Sequence, residues 1–141
     1  MSEITCAKTQ FIEYLKAFNQ LEPSRIPAFF YLPSLLMTPN VVTKPMTTVA
    51  EVEAVFTPFM ADLKKRGFSE SELKSLSEKM LSDKIVIFSG SAIRYKKEGE
   101  TKTELEKLGF TYTLRKDDSD DTWKIIMGVI HDFSTAIALE P

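Results

Sequence analysis

The chain predicts an α+β domain in which N-terminal helices pack on one face of a curved antiparallel sheet. Three observations carry that expectation. Apolar residues recur at helical spacing through the first half, and the stretch beyond Asp83 alternates and is rich in β-branched and aromatic residues. Between the later apolar runs stand polar turn segments and no long helical pattern, which favours a meander over a parallel sheet. A length of 141 residues suits one domain, expected to span residues 1–141.

Tyr14 with Phe11, Leu15, Phe18 and Leu21 sets an amphipathic helix over about residues 8–20. Pro23 stops it, and Ser24 is placed to cap a second helix carrying Ile26, Phe29, Phe30 and Leu32, with Pro27 tolerable in its first turn. Pro33 ends that helix. Residues 33–45 hold three prolines and read as extended or looped, with room for a short strand near Val41 and Val42.

The clearest start is Thr48-Val49-Ala50-Glu51, a capping box in which the Thr hydroxyl accepts a backbone N–H and the Glu reaches back. Val52, Val55, Phe56, Phe59 and Leu63 follow on one stripe, and Gly67 is a good stop. Pro58 lies inside this helix, opposite the stripe, so a curved helix is expected and not a break.

Residues 70–82 are ambiguous. Leu73, Leu76, Met80 and Leu81 have helical spacing, whereas Leu76, Glu78 and Met80 share a strand phase. From there strands are expected over residues 84–96, 103–116 and 123–131, joined by turns at residues 97–100 and 117–121. In the middle one Phe110, Tyr112 and Leu114 share the helix-facing side. Thr111, Thr113 and Arg115 look to solvent or a second subunit. The tail after residue 132 is apolar enough to dock on the body.

Composition narrows the function classes. Net charge is −2, with 18 basic and 20 acidic residues, which gives no general attraction to nucleic acid or to anionic lipid. No apolar run approaches the roughly 20 residues a membrane helix needs. The single Cys6, near a terminus expected to fray, cannot form an internal disulfide. With no signal-peptide pattern at the start, a cytoplasmic location is expected.

The order of these elements has a resemblance. Ser89-Gly90-Ser91-Ala92-Ile93-Arg94-Tyr95, the Gly99 turn, Phe110-Thr111-Tyr112-Thr113-Leu114-Arg115-Lys116 and the closing Trp123-Lys124-Ile125-Ile126 resemble the nuclear transport factor 2-like superfamily. This is the cystatin-like cone shared by SnoaL-like polyketide cyclases and ketosteroid isomerases. The resemblance covers residues 8–132. It implies that residues 72–82 form the first long strand, that a conical pocket lies between sheet and helices, and that a homodimer forms through the outer sheet face. It implies no particular activity, because the fold carries enzymes, scaffolds and binding proteins alike.

Candidate chemistry is sparse. His131, the lone histidine, is in phase with Ile125, Met127 and Val129 and could serve as acid or base if that face lines the pocket. The alternative is a strand-end histidine bonded to Asp132 or to a tail carbonyl. Ketosteroid isomerase-type members use a pocket carboxylate as base, and the inward positions Phe110, Tyr112 and Leu114 supply none. Asp62 flanks the apolar stripe and is the carboxylate candidate, ahead of Glu13. Tyr112 is a candidate donor, and Tyr14, Phe30, Tyr31, Phe56, Phe59, Met60 and Met127 are candidate apolar walls.

Asp117, Asp118, Asp120 and Asp121 lack calcium-loop spacing, and one His with one Cys cannot make a usual zinc site. No cofactor or metal is expected. Arg94 and Arg115 could bind an anion, although cross-strand charge pairing is the commoner role. Two readings follow: a pocketed homodimer that binds an apolar small molecule without catalytic machinery, or an isomerase, cyclase or hydrolase using His131 and Tyr112. A dimeric scaffold for a protein partner is a third.

Overall fold

The computed structural model describes residues 2–40 and 45–140. Helix α1 spans Glu3–Asn19, strand β1 Phe30–Met37, helix α2 Val49–Lys65, and strands β2 to β5 span Phe68–Ser82, Ile85–Glu98, Thr101–Asp117 and Thr122–His131. The five strands form one sheet in the order β1-β5-β4-β3-β2. Among the described residues no helix is long and apolar enough to cross a membrane.

Helix α1 begins earlier than its periodicity suggests. The Ser2 hydroxyl accepts the Thr5 N–H, and Glu3 accepts from Lys116 at 2.8 Å and from the Trp123 indole at 3.2 Å. A first-turn carboxylate suits the helix dipole, and here it also ties α1 to the closing strand. The terminus is anchored rather than frayed, and Cys6 is a free, half-buried thiol against the core. Helix α2 starts as its sequence predicts, with the Glu51 N–H donating to Thr48 Oγ1 at 3.1 Å. That cap stabilises the helix by about 1 kcal/mol. The Glu51 carboxylate takes the Thr47 and Thr48 hydroxyls instead of a backbone N–H. Pro58 is exposed, while Val52, Phe56, Met60 and Leu63 are buried.

The expected second helix is corrected. Residues 23–29 form two short 3-10 turns, and Phe30, Tyr31 and Leu32 belong to β1. Two prolines leave too few backbone donors for an α-helix, and Phe30 gains a place opposite Ile125 on β5. The β1–β5 pair is parallel, the exception in an otherwise antiparallel sheet. Pro33 is tolerated because β1 is an edge strand whose register is irregular between Phe30 and Leu35. The suggested strand at Val41 and Val42 lies outside the described residues.

Residues 68–82 are strand, in accord with the resemblance and against the helical spacing. A bulge between Leu73 and Ser75 explains the conflict: the extra residue lets Leu73, opposite Ala92, and Leu76, opposite Gly90, share the inner face three residues apart. Such bulges also bend the strands and curl the sheet over the helices. The core lies between. Phe11 stacks on Phe88, with ring centroids 4.9 Å apart and planes 4° apart, beside Phe110 and Tyr112.

The acids of the β4–β5 turn close the hairpin. Asp117 accepts from Ser119 and Lys124, Asp120 accepts from Thr122 and Lys124, and the Lys124 and Ser119 donors hold the Asp117 carboxyl at about 2. Beyond β5 a short 3-10 turn, Phe133–Thr135, leads the tail over the outer face. There the Ile137 N–H donates to Ser89 Oγ at 2.9 Å and the Leu139 N–H to Ser77 Oγ at 3.1 Å.

Candidate functional site

A cavity of about 530 Å³ opens between the inner sheet face and helices α1 and α2. Its walls are mostly apolar, and its polar groups fall into an inner pair and an outer cluster.

The inner pair is Tyr14 on α1 and Tyr112 on β4, with hydroxyl oxygens 3.3 Å apart. Gly128 on β5 allows this placement, since a Cβ there would overlap the Tyr112 ring and crowd Leu36. Burial raises both phenol pKa values, and for Tyr14 the neighbouring Tyr112 adds to the rise. Both therefore keep their protons at neutral pH. One hydroxyl donates to the other, and the second proton has no acceptor among the described residues.

The outer cluster joins α2 to β3 and β4. Arg66 donates to Asp62 at 3.1 Å and to Glu106 at 2.8 Å. Arg94, opposite Glu106 in the β3–β4 register, stands 3.5 Å from the same carboxylate oxygen, and its guanidinium lies 5.2 Å over the Phe18 ring. Asn19 accepts from Ser71 at 2.7 Å beside them.

Of the residues expected at the site, the structure brings Tyr14, Phe56, Phe59, Tyr112 and Asp62 to this cavity. Phe30 and Met60 are instead core residues, 3% and 1% exposed, behind the wall. Tyr31 and Met127 lie on the outer sheet face, Tyr31 under the Arg115 guanidinium and Met127 opposite Thr113. His131 is outside as well. Its Nε2 bonds Thr111 Oγ1 at 2.9 Å, and its Nδ1 lies 3.1 Å from the Asp132 carbonyl oxygen and from Thr135 Oγ1.

One bulge moves both Met127 and His131. Leu114 pairs with Ile125 but Thr113 pairs with Met127, so Ile126 is an extra residue and the alternation beyond it reverses. Ile125 faces in; Met127, Val129 and His131 then share the Thr113 and Thr111 side. Glu13, the weaker acid candidate, pairs with Lys16 on an exposed helix face. Sequence reasoning passed over Arg66, Glu106 and Thr38 at the cavity. Only register and the approach of α2 to β4 bring the first two together, whereas Arg94 was legible as a strand arginine.

The family model described as NTF2-like protein (DUF6841) matches residues 2–133. The chain belongs to this NTF2-like family. No curated protein matches it significantly. Solved structures with the same fold include an NTF2-like protein with a cystatin-like fold from Novosphingobium aromaticivorans, at 8% identity and TM-score 0.75, covering 94% of this chain and 83% of that one. The yeast UBP3-associated protein BRE5 matches at 17% identity and TM-score 0.72, over 99% of this chain and 100% of its own. A ketosteroid isomerase-like protein from Erwinia carotovora atroseptica matches at 16% identity and TM-score 0.66, over 97% and 98%. At these identities the likeness concerns the NTF2-like fold alone.

Proposed function

We propose that this NTF2-like protein binds an apolar, aromatic small molecule in the cavity between helices and sheet, without acid–base catalysis. The observation that carries the reading is an aromatic-walled cavity of about 530 Å³, within the roughly 300–1,000 Å³ usual for small-molecule sites. The chemistry around it favours binding over turnover. A general base must reach the reacting proton. The lone imidazole lies on the other side of the sheet, and the rim carboxylates Asp62 and Glu106 are both engaged by Arg66. The enzyme reading based on His131 with Tyr112 loses its base by this geometry.

The test is titration with the neutral fluorophore N-phenyl-1-naphthylamine. Saturable fluorescence enhancement is expected in the wild type. It should be lost in Ala92→Trp, which places an indole in the cavity from a strand position that already lines it. No enhancement in the wild type, or full enhancement in Ala92→Trp, would sink the reading.

We also propose a homodimer through the outer sheet face. Leu35, Met37, Met127 and Val129 lie together there across β1 and β5, and Met37 and Met127 are 38% and 39% exposed. The tail is pinned at Ser77 and Ser89, toward β2 and β3, so it does not bond over this stripe. Light scattering should give twice the chain mass, and Met127→Lys should return the monomer by burying a charge. A monomeric wild type at tens of micromolar would remove this assignment.

A further inference from the structure

The cavity's polar groups carry a surplus of donors, and from this we infer that the ligand is an anion: a flat aromatic body bearing a carboxylate, anchored by Arg94. The inference rests on the cavity being a binding site and names what the site selects.

Two donors that line the cavity have no acceptor among the described residues. One phenol proton of the Tyr14–Tyr112 pair is unpaired among the described residues. The Arg94 guanidinium makes no hydrogen bond among them either. Its contact with Glu106, at 3.5 Å, is well beyond the roughly 2.7–2.9 Å of a charge-assisted hydrogen bond. Buried donors left unmade are costly, so a ligand that supplies acceptor oxygens gains what water or protein otherwise must provide.

Charge must be weighed as well, because Asp62 and Glu106 would repel an anion. Arg66 holds both carboxylates at hydrogen-bonding distance, so much of their field is answered there. Arg94 sits deeper, its side chain 19% exposed against 37% for Arg66, and its face rests on Phe18. A guanidinium held by its face leaves its N–H edge to receive a carboxylate, the geometry for which arginine is suited. The aromatic walls then take the body of the ligand, with the Tyr14–Tyr112 pair able to donate to a second oxygen.

The experiment is displacement of N-phenyl-1-naphthylamine at pH 7.5 by 2-naphthoate and by its neutral isostere 2-naphthamide. The wild type should bind naphthoate about tenfold or more tightly than naphthamide, as a charge-assisted hydrogen bond implies. Arg94→Met should abolish that preference while leaving naphthamide affinity within about twofold. Glu106→Gln should act the other way, tightening naphthoate about threefold and leaving naphthamide unchanged, a gain that misfolding cannot imitate.

Equal affinities for the two probes in the wild type, or a preference that survives Arg94→Met, would overturn the inference and leave the cavity reading intact. So would a dye that binds and is displaced by neither naphthalene. A dye that does not bind at all would remove the cavity reading and this inference with it.

Discussion

Phe11→Ala is expected to destabilise the protein by about 3–5 kcal/mol, the usual cost of emptying a buried aromatic site. Phe11 is fully buried, lies nearly parallel to Phe88 at 4.9 Å, and meets Phe110 at 5.7 Å and Tyr112 at 5.2 Å. These rings belong to α1, β3 and β4, so no single element can move to close the space. Tyr112 would also lose the ring that holds it beside Tyr14, and the inner polar pair should loosen. Urea unfolding is the direct measurement, read as a fall in midpoint at constant slope. A loss under about 1 kcal/mol would mean that the cavity already lets the core collapse around the missing ring.

Gly90→Ala should cost about 3 kcal/mol, at the upper end of what overpacking does. On β3 Gly90 faces inward opposite Phe110 on one side and Leu76 on the other. A Cβ there would overlap the Ser75 carbonyl oxygen, pushed inward by the β2 bulge, and would stand 2.9 Å from Phe110 Cζ. The phenyl ring can turn aside, but the carbonyl can retreat only by opening the β2–β3 pairing. Thermal unfolding checks this, with a fall in Tm of roughly 6–12 °C for a domain close to the 150-residue size class. A variant as stable as the wild type would show that the bulge can be ironed out at little cost.

These two sites differ in how much of them the sequence reveals. Phe11 was legible, because a large apolar residue at helical spacing with Tyr14, Leu15 and Phe18 belongs to a buried stripe. Gly90 as a point of close approach was not, since the atom it avoids belongs to a bulge that local pattern does not announce. The same contrast runs through the molecule. The Thr48 cap, the unbroken helix through Pro58, the polar β4–β5 turn and the inward row Phe110, Tyr112 and Leu114 follow from local chemistry, and the structure has all of them.

Where the reading failed, a distant partner decided the outcome. Residues 30–32 have helical spacing yet belong to β1, which pairs with β5 from Phe30, because an edge position was open to them and prolines made the helix poor. Leu73, Leu76 and Met80 imitate helical spacing because one extra residue interrupts a strand's alternation. Alternation from Ile125 left the direction of His131 open, and one bulge at Ile126 turns it out to Thr111, beside the Asp132 carbonyl that the strand-end alternative named. A period-two pattern keeps its face only while every residue is paired, so a single insertion reverses each side chain after it.

The candidate site divides in the same way. Tyr14, Phe56, Phe59, Tyr112 and Asp62 could be named from periodicity together with the cone that the resemblance implies, since each lies on or beside an apolar face. The clustering of Arg66 and Arg94 on one Glu106 could not, because it depends on strand register and on where Arg66, at the end of α2, reaches β4. By itself the sequence determined that α1 and α2 precede the long antiparallel strands, where the later hairpins turn, and that the helix-facing side of β4 is aromatic. Only the tertiary structure decided which side of the closing strand carries its histidine and which of the two cavity arginines makes no hydrogen bond among the described residues. Local propensity and periodicity act over a few bonds, whereas register, bulges and charge clusters are settled by what the rest of the chain brings against them.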